Sequence, residues 1–153
     1  MAESIKSKMV RIRYGLMPCY RRTGVKVTYI SADFHEARIE LPLNRKTRGY
    51  NGTLFGGSLY GCIDPVYMTL LSLLLGRKYI VWDKAAIIEF KKPGRSTLYS
   101  TFVVPSGELD AIRKELESTD RTERIYDVQL ADANGVVHFT ARKTVVVVNR
   151  KSV

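Results

Sequence analysis

Two hydrophobic periods run through this chain. Val25, Val27 and Tyr29 alternate with Lys26 and Thr28, and Ala37, Ile39 and Leu41 alternate with Arg38 and Glu40. A period of two marks half-buried strands, here joined by a hairpin through Ser31-Ala32-Asp33-Phe34, with His35 at the surface beside the turn. Ahead of them Ile5, Met9, Ile12 and Leu16 recur at i, i+4, i+7 and i+11. That is one helical face, so an amphipathic helix is predicted over about residues 3–16, ended by Pro18. Lys6, Lys8, Arg11 and Arg13 cover much of the rest. Such a helix also suits a membrane or nucleic-acid surface. The expectation is that its apolar face packs over a sheet while the basic face meets solvent.

The longest helical pattern runs from about Gly57 to Leu75. Leu59, Ile63, Val66, Leu70 and Leu73 form its apolar stripe, and Gly57, Tyr60, Gly61, Asp64 and Met68 lie along another side. Pro65 lacks the N–H that the Gly61 carbonyl needs, so a kink is predicted there. After it, Val81–Phe90 is apolar at both alternating positions except for Asp83, Lys84 and Glu89, which suggests a central strand covered by the helix. Leu98–Val104 and Arg124–Ala131 read as further strands, with a surface helix over Ser106–Glu117 between them. Asn134-Gly135 is a strong hairpin signal before a last strand, Val136–Val148, whose apolar run Arg142 and Lys143 interrupt. That strand is longer than a small sheet needs, which suggests edge pairing with a second subunit. The whole is one α+β domain, an antiparallel sheet around one long helix.

Composition narrows the partners. The 153 residues are 45% hydrophobic, enough for a core. Net charge is +10, which favours polyanionic partners. The basic residues are scattered and not interleaved with aromatics, so nucleic acid is not expected. Cys19 and Cys62 have no metal-ligand or disulfide spacing. No signal peptide is apparent, and Val66–Leu75 is too short to span a bilayer, so a cytoplasmic protein is expected.

The chemistry concentrates where the long helix begins and where it breaks. Gly56-Gly57 leaves free backbone N–H groups at a helix start, suited to an anion or a developing oxyanion. Asp64 is an acid in a greasy helix beside a backbone irregularity. A cap on the second helical half would account for it equally well.

Gly52-Thr53-Leu54-Phe55-Gly56-Gly57, Asp64-Pro65, Val81-Trp82-Asp83-Lys84 and Phe90-Lys91-Lys92-Pro93-Gly94 together resemble the hotdog fold over nearly the whole chain. Within that fold the chain resembles the tetrameric acyl-CoA thioesterase-like family, a largely uncharacterised branch related to phenylacetate-pathway thioesterases. It implies a sheet wrapped around the central helix and a homo-oligomer, either a dimer or a dimer of dimers. It also implies hydrolysis of a fatty or medium-chain acyl thioester carried by coenzyme A or acyl carrier protein, with no metal and no further cofactor. The Gly57 N–H matches the oxyanion donor, and Asp64 the general base or nucleophile, usually supplied by the partner subunit. Asn51, Phe55 and Gly56 are the candidate substrate contacts around the helix start. Tyr60 and Met68 are candidates to line an acyl tunnel, and plain core would account for them equally well. Lys91, Lys92 and Arg95 offer contacts for coenzyme A phosphates. Phe55 stands where phenylacetate-type enzymes carry histidine, and Asn51 is the asparagine nearest the position, close to Gly49, where relatives often have one. Phe55 cannot hydrogen-bond a thioester, so a non-catalytic binder of acyl thioesters or fatty acids is the alternative.

Overall fold

The computed structural model describes residues 2–152. Its elements are α1 (Ile5–Leu16), α2 (Pro18–Arg21), β1 (Lys26–Ile30), β2 (Glu36–Leu41), α3 (Gly56–Ile63), α4 (Val66–Leu75), β3 (Tyr79–Phe90), β4 (Leu98–Val103), α5 (Glu108–Glu115), β5 (Arg121–Ala131) and β6 (Val137–Asn149), followed by one 3₁₀ turn at Arg150–Ser152. The six strands form one sheet in the order β1-β2-β4-β5-β6-β3, antiparallel throughout. The predicted strands and helices all form, within a few residues of their expected ends.

The core lies between the sheet and the α3–α4 rod. Phe102, Phe139, Leu98, Leu130, Ile39 and Val145 from the sheet meet Leu59, Ile63, Leu70 and Leu71 from the helices, all almost fully buried. Side chains of this size each contribute about 1.5–3 kcal/mol on burial. Tyr67 of α4 fixes the rod's rotation. Its ring stacks on Tyr126 at 4.1 Å and meets Phe102 edge-on at 5.3 Å. Joined through Asp64-Pro65, Gly56–Leu75 is a 20-residue stretch long and apolar enough to cross a membrane, which counting Val66–Leu75 alone misses; half of its most apolar window is buried inside this fold.

Three expectations are corrected. First, β3 is not central: it pairs only with β6 and forms one edge of the sheet. Its apolar residues at both alternating positions are largely open, with Ile87 70% and Phe90 57% exposed. Second, the long last strand is interior, held by β5 on one side and β3 on the other, so the unpaired edge belongs to β3.

Third, α1 is turned the other way. Its sequence stripe faces out, with Ile5 81%, Met9 66%, Ile12 55% and Leu16 60% exposed. The face on the protein carries Ser7, Tyr14 and half-buried Val10. A capping box between Ser4 and Ser7 starts the helix. Glu3 then ties it down, accepting from the Arg11 guanidinium at 2.8 Å and from the Ile30 backbone N–H at 3.0 Å. That contact occupies one donor at the end of β1, the other edge strand of the sheet.

Candidate functional site

The approach to α3 is a tight hairpin. Arg48 bridges to Leu54, and the Gly49 N–H donates to the Thr53 carbonyl at 2.7 Å. Tyr50 and Asn51 stand exposed at its tip, outside the helix entrance. The Phe55 N–H donates to the Thr47 carbonyl and the Leu54 N–H to the Gly94 carbonyl. These bonds deliver the chain to α3 with extended backbone at Phe55, the N-cap, and no side chain caps the helix. Ser58 and Leu59 both donate to the Phe55 carbonyl. The amides of Gly56 and Gly57, first in the helix, are the orphan donors of an uncapped N-terminus.

No left-handed backbone calls for these glycines; two aromatic rings lie close over them. A Cβ on Gly57 would stand 2.4 Å from Phe55 Cε1, and one on Gly56 would stand 3.2 Å from Phe90 Cε1. Phe55 is 59% exposed, so these rings form an open apolar rim over the free amides. Lys92 and Arg95 flank Gly94, whose close approach to Leu54 sets that basic turn against the helix entrance. Lys91 is placed elsewhere. It pairs with Glu89 and lines a polar groove on the outer sheet face with Asp127 and Arg142.

The second part of the site is the break between α3 and α4. Asp64 and Pro65 keep right-handed backbone values but interrupt the helical ladder. The Asp64 carboxylate does not cap α4, which begins with no side-chain cap. It turns instead to Lys143 of β6. The Lys143 ammonium donates to the Asp64 backbone carbonyl and, at 3.1 Å, to Asp64 Oδ1. It also stands 2.8 Å from Asp83 Oδ1 of β3. The Lys143 side chain is wholly buried, whereas that of Asp64 is 40% exposed and that of Asp83 18%. One fully buried cation thus serves two carboxylates and a helix-end carbonyl, where the helix dipole also favours positive charge. The Tyr60 ring lies 5.9 Å from the same ammonium.

Burial pushes the Asp83 carboxyl above its ordinary range; Lys143 opposes that and the Asp64 charge adds to it. Burial also pushes the Tyr60 phenol up, reinforced by hydrogen bonding to Asp64. Tyr60, Asp64 and half-buried Met68 follow one line along the rod at successive i, i+4 steps.

The predicted residues therefore form two groups. Phe55, Gly56 and Gly57 form the helix entrance, with the Lys92–Arg95 turn beside it through Gly94; Tyr60 meets Asp64 at the break, with Met68 one turn further along. Gly57 and Asp64 are seven residues apart, about 10 Å along a helix, so one subunit cannot bring both to one carbonyl. Lys143 and Asp83 join the second group without having been singled out. A signal for Lys143 was present. It shares the inward parity of Ala141, Val145 and Val147, whereas neighbouring Arg142 faces out to Asp127.

The model of a domain of unknown function, DUF4442, matches residues 5–147. The chain belongs to that family. No protein of curated function matches it. Among solved structures, a Pseudomonas aeruginosa protein of unknown function, PA5026, described as a probable thioesterase, superposes with a TM-score of 0.84 at 13% identity, covering 97% of this chain and 99% of that one. The thioesterase HI1161 of Haemophilus influenzae gives 0.71 at 13% identity, covering 96% of this chain and 93% of that one. A variant of thioesterase PA1618 of Pseudomonas aeruginosa gives 0.70 at 14%, covering 92% and 93%. The fold of this DUF4442 protein is the hotdog fold.

Proposed function

We propose that this DUF4442 protein hydrolyses acyl thioesters at a site shared between two subunits. The observation that carries the reading is the pairing of an uncapped, open helix N-terminus at Gly57 with a half-exposed carboxylate, Asp64, held by a buried lysine. The thioesterase descriptions of the structural neighbours support it. The thioester oxygen accepts the Gly57 N–H, which stabilises the charge developing on it. The Asp64 carboxylate of a second subunit takes a proton from water as the water oxygen bonds to the carbonyl carbon, or bonds to that carbon itself. The C–S bond then breaks and the thiolate leaves to be protonated as thiol; in the second route water afterwards hydrolyses the acyl–Asp64 anhydride and frees the acid. The Phe55–Phe90 rim suits an apolar acyl group, and Lys92 and Arg95 suit coenzyme A phosphates. Lys91, committed to Glu89, is left out of that patch.

The open β3 edge is the proposed subunit seam. Twelve residues with one unpaired side, and apolar side chains exposed on both faces, invite an antiparallel copy of the same strand.

A thiol-release assay over acyl-CoAs from acetyl to palmitoyl tests the reading. Wild type is expected to turn over a subset of chain lengths, and Asp64→Asn to lose at least about a hundred-fold in rate with an unchanged melting temperature. Equal turnover by the variant would remove Asp64 from the chemistry. The second reading, a non-catalytic acyl-thioester binder, is favoured by the Phe55 ring lying over Gly57. Stoichiometric binding with no hydrolysis at any chain length would establish it.

A further inference from the structure

The outward stripe of α1 is not used by the fold. Ile5, Met9, Ile12 and Leu16, continued by Met17 at 42% exposure, face away from the sheet, although the same helix buries Ser7. Val10, Tyr14 and the Glu3 clasp hold the helix without them. Around the stripe lies a shallow groove of about 590 Å³, lined by Lys6, Met9, Val10, Ile12, Arg13, Leu16 and Met17. On the helical wheel Lys6 and Arg13 border one side of the stripe and Lys8 the other. At Leu16 the groove meets a second one of about 530 Å³, lined by Leu16, Pro18, Arg21, Arg22 and Lys46. No acidic residue lines either groove. Among the described residues, none of these six bordering cations makes an ion pair with a carboxylate.

We propose that α1 and the Arg21-Arg22-Lys46 groove form one docking surface for an anionic phospholipid bilayer. An apolar strip bordered by basic side chains that make no carboxylate ion pair is what an interfacial helix presents: the aliphatic groups enter the acyl boundary and the cations reach lipid phosphates. Charge argues against the other occupants of an apolar helix face. A second copy docked on it about a two-fold axis would set Lys6, Lys8 and Arg13 against themselves. Nucleic acid would find no aromatic side chain on the strip to stack against. The surface rests on the rod that carries Asp64: Tyr20 donates to the Cys62 carbonyl at 2.7 Å, and Thr69 to the Tyr14 hydroxyl at 3.2 Å. Docking through α1 therefore holds that rod close to the membrane. The proposal does not depend on the hydrolase reading.

Co-sedimentation of the full chain with vesicles tests it. One vesicle set is phosphatidylcholine alone, and the other contains about one-third phosphatidylglycerol. Wild type is expected to sediment with the anionic vesicles at least about ten-fold more than with the neutral ones, and to be released by added salt. Met9→Glu with Ile12→Glu is expected to lower that partition at least about ten-fold through the apolar contact, and Arg21→Glu with Arg22→Glu likewise through charge. All four residues are exposed, and matching melting temperatures will verify the fold. The wild-type comparison decides even where a variant does not fold. The proposal is overturned by no sedimentation, by equal partition to both vesicle sets, or by variants that bind as wild type does. It is equally overturned if Met9→Glu/Ile12→Glu halves the solution mass while wild type ignores vesicles, because the strip then covers a second copy.

Discussion

Lys143 is the residue on which the site's electrostatics turn. Its ammonium is out of water and is tolerated there because Asp83, Asp64 and a backbone carbonyl surround it. Removing one member of such a group leaves the others uncompensated. Lys143→Met should therefore cost about 3–5 kcal/mol, far more than a surface pair would. Adding Asp83→Leu should recover much of that loss, because it removes the more buried of the stranded carboxylates. Denaturant melts of the two single variants and the double variant measure the coupling; additive losses would show that Lys143 acts through packing alone. Asp64 was visible in the sequence because an acid in a greasy helix is conspicuous. Its partner was not, because Lys143 comes from a strand 79 residues away and only the sheet register brings it there. Parity within β6 assigned Lys143 to the inner face, but no local pattern says which part of the helix that face meets.

At the scale of elements, local periodicity identified the strands and helices but not their neighbours. An apolar strand reads the same whether a helix or another subunit covers it, and so β3 read as central when it lies at an edge. The stripe on α1 was likewise read correctly as a stripe and assigned to the wrong side. What orients α1 is buried Tyr14 with Val10 and, as a polar clasp, the contact of Glu3 with Arg11 and the Ile30 N–H. Burial works against the charged form of Glu3, but the Arg11 and Ile30 hydrogen bonds outweigh it and hold the carboxyl below its ordinary range. A carboxyl lowered on folding adds stability above its unfolded value and loses it as pH falls through its folded value. Glu3→Gln should thus melt below wild type by about 1 kcal/mol at neutral pH. The gap should close as pH drops below the carboxylate range. Thermal melts across that window read it; a gap constant with pH would mean that Glu3 works through shape and not charge.

At the scale of the whole molecule, the two sheet edges differ, and that asymmetry bears on catalysis. β1 is a five-residue edge on which Glu3 takes one donor, the Ile30 N–H, while the twelve-residue β3 offers its full length and its apolar side chains. In the proposed dimer β3 pairs with its own copy about a two-fold axis, and each subunit would give a helix entrance to one site and a carboxylate to the other. The separation of about 10 Å between Gly57 and Asp64 along one helix makes that division a requirement of the proposed chemistry. It also makes it testable by mixing. Gly57→Val sets a side chain where Phe55 leaves 2.4 Å, and so disturbs the helix entrance. Asp64→Asn disarms the other half. Each variant alone should be inactive. Unfolded together and refolded, half of the dimers are hybrids, and in each hybrid one of two sites pairs an intact Gly57 with an intact Asp64. Recovery should therefore approach about a quarter of wild-type turnover. If instead one chain supplied both groups, every site in the mixture would carry a defect and no activity would return. The rate after refolding therefore separates a shared site from a private one, without an image of the assembly.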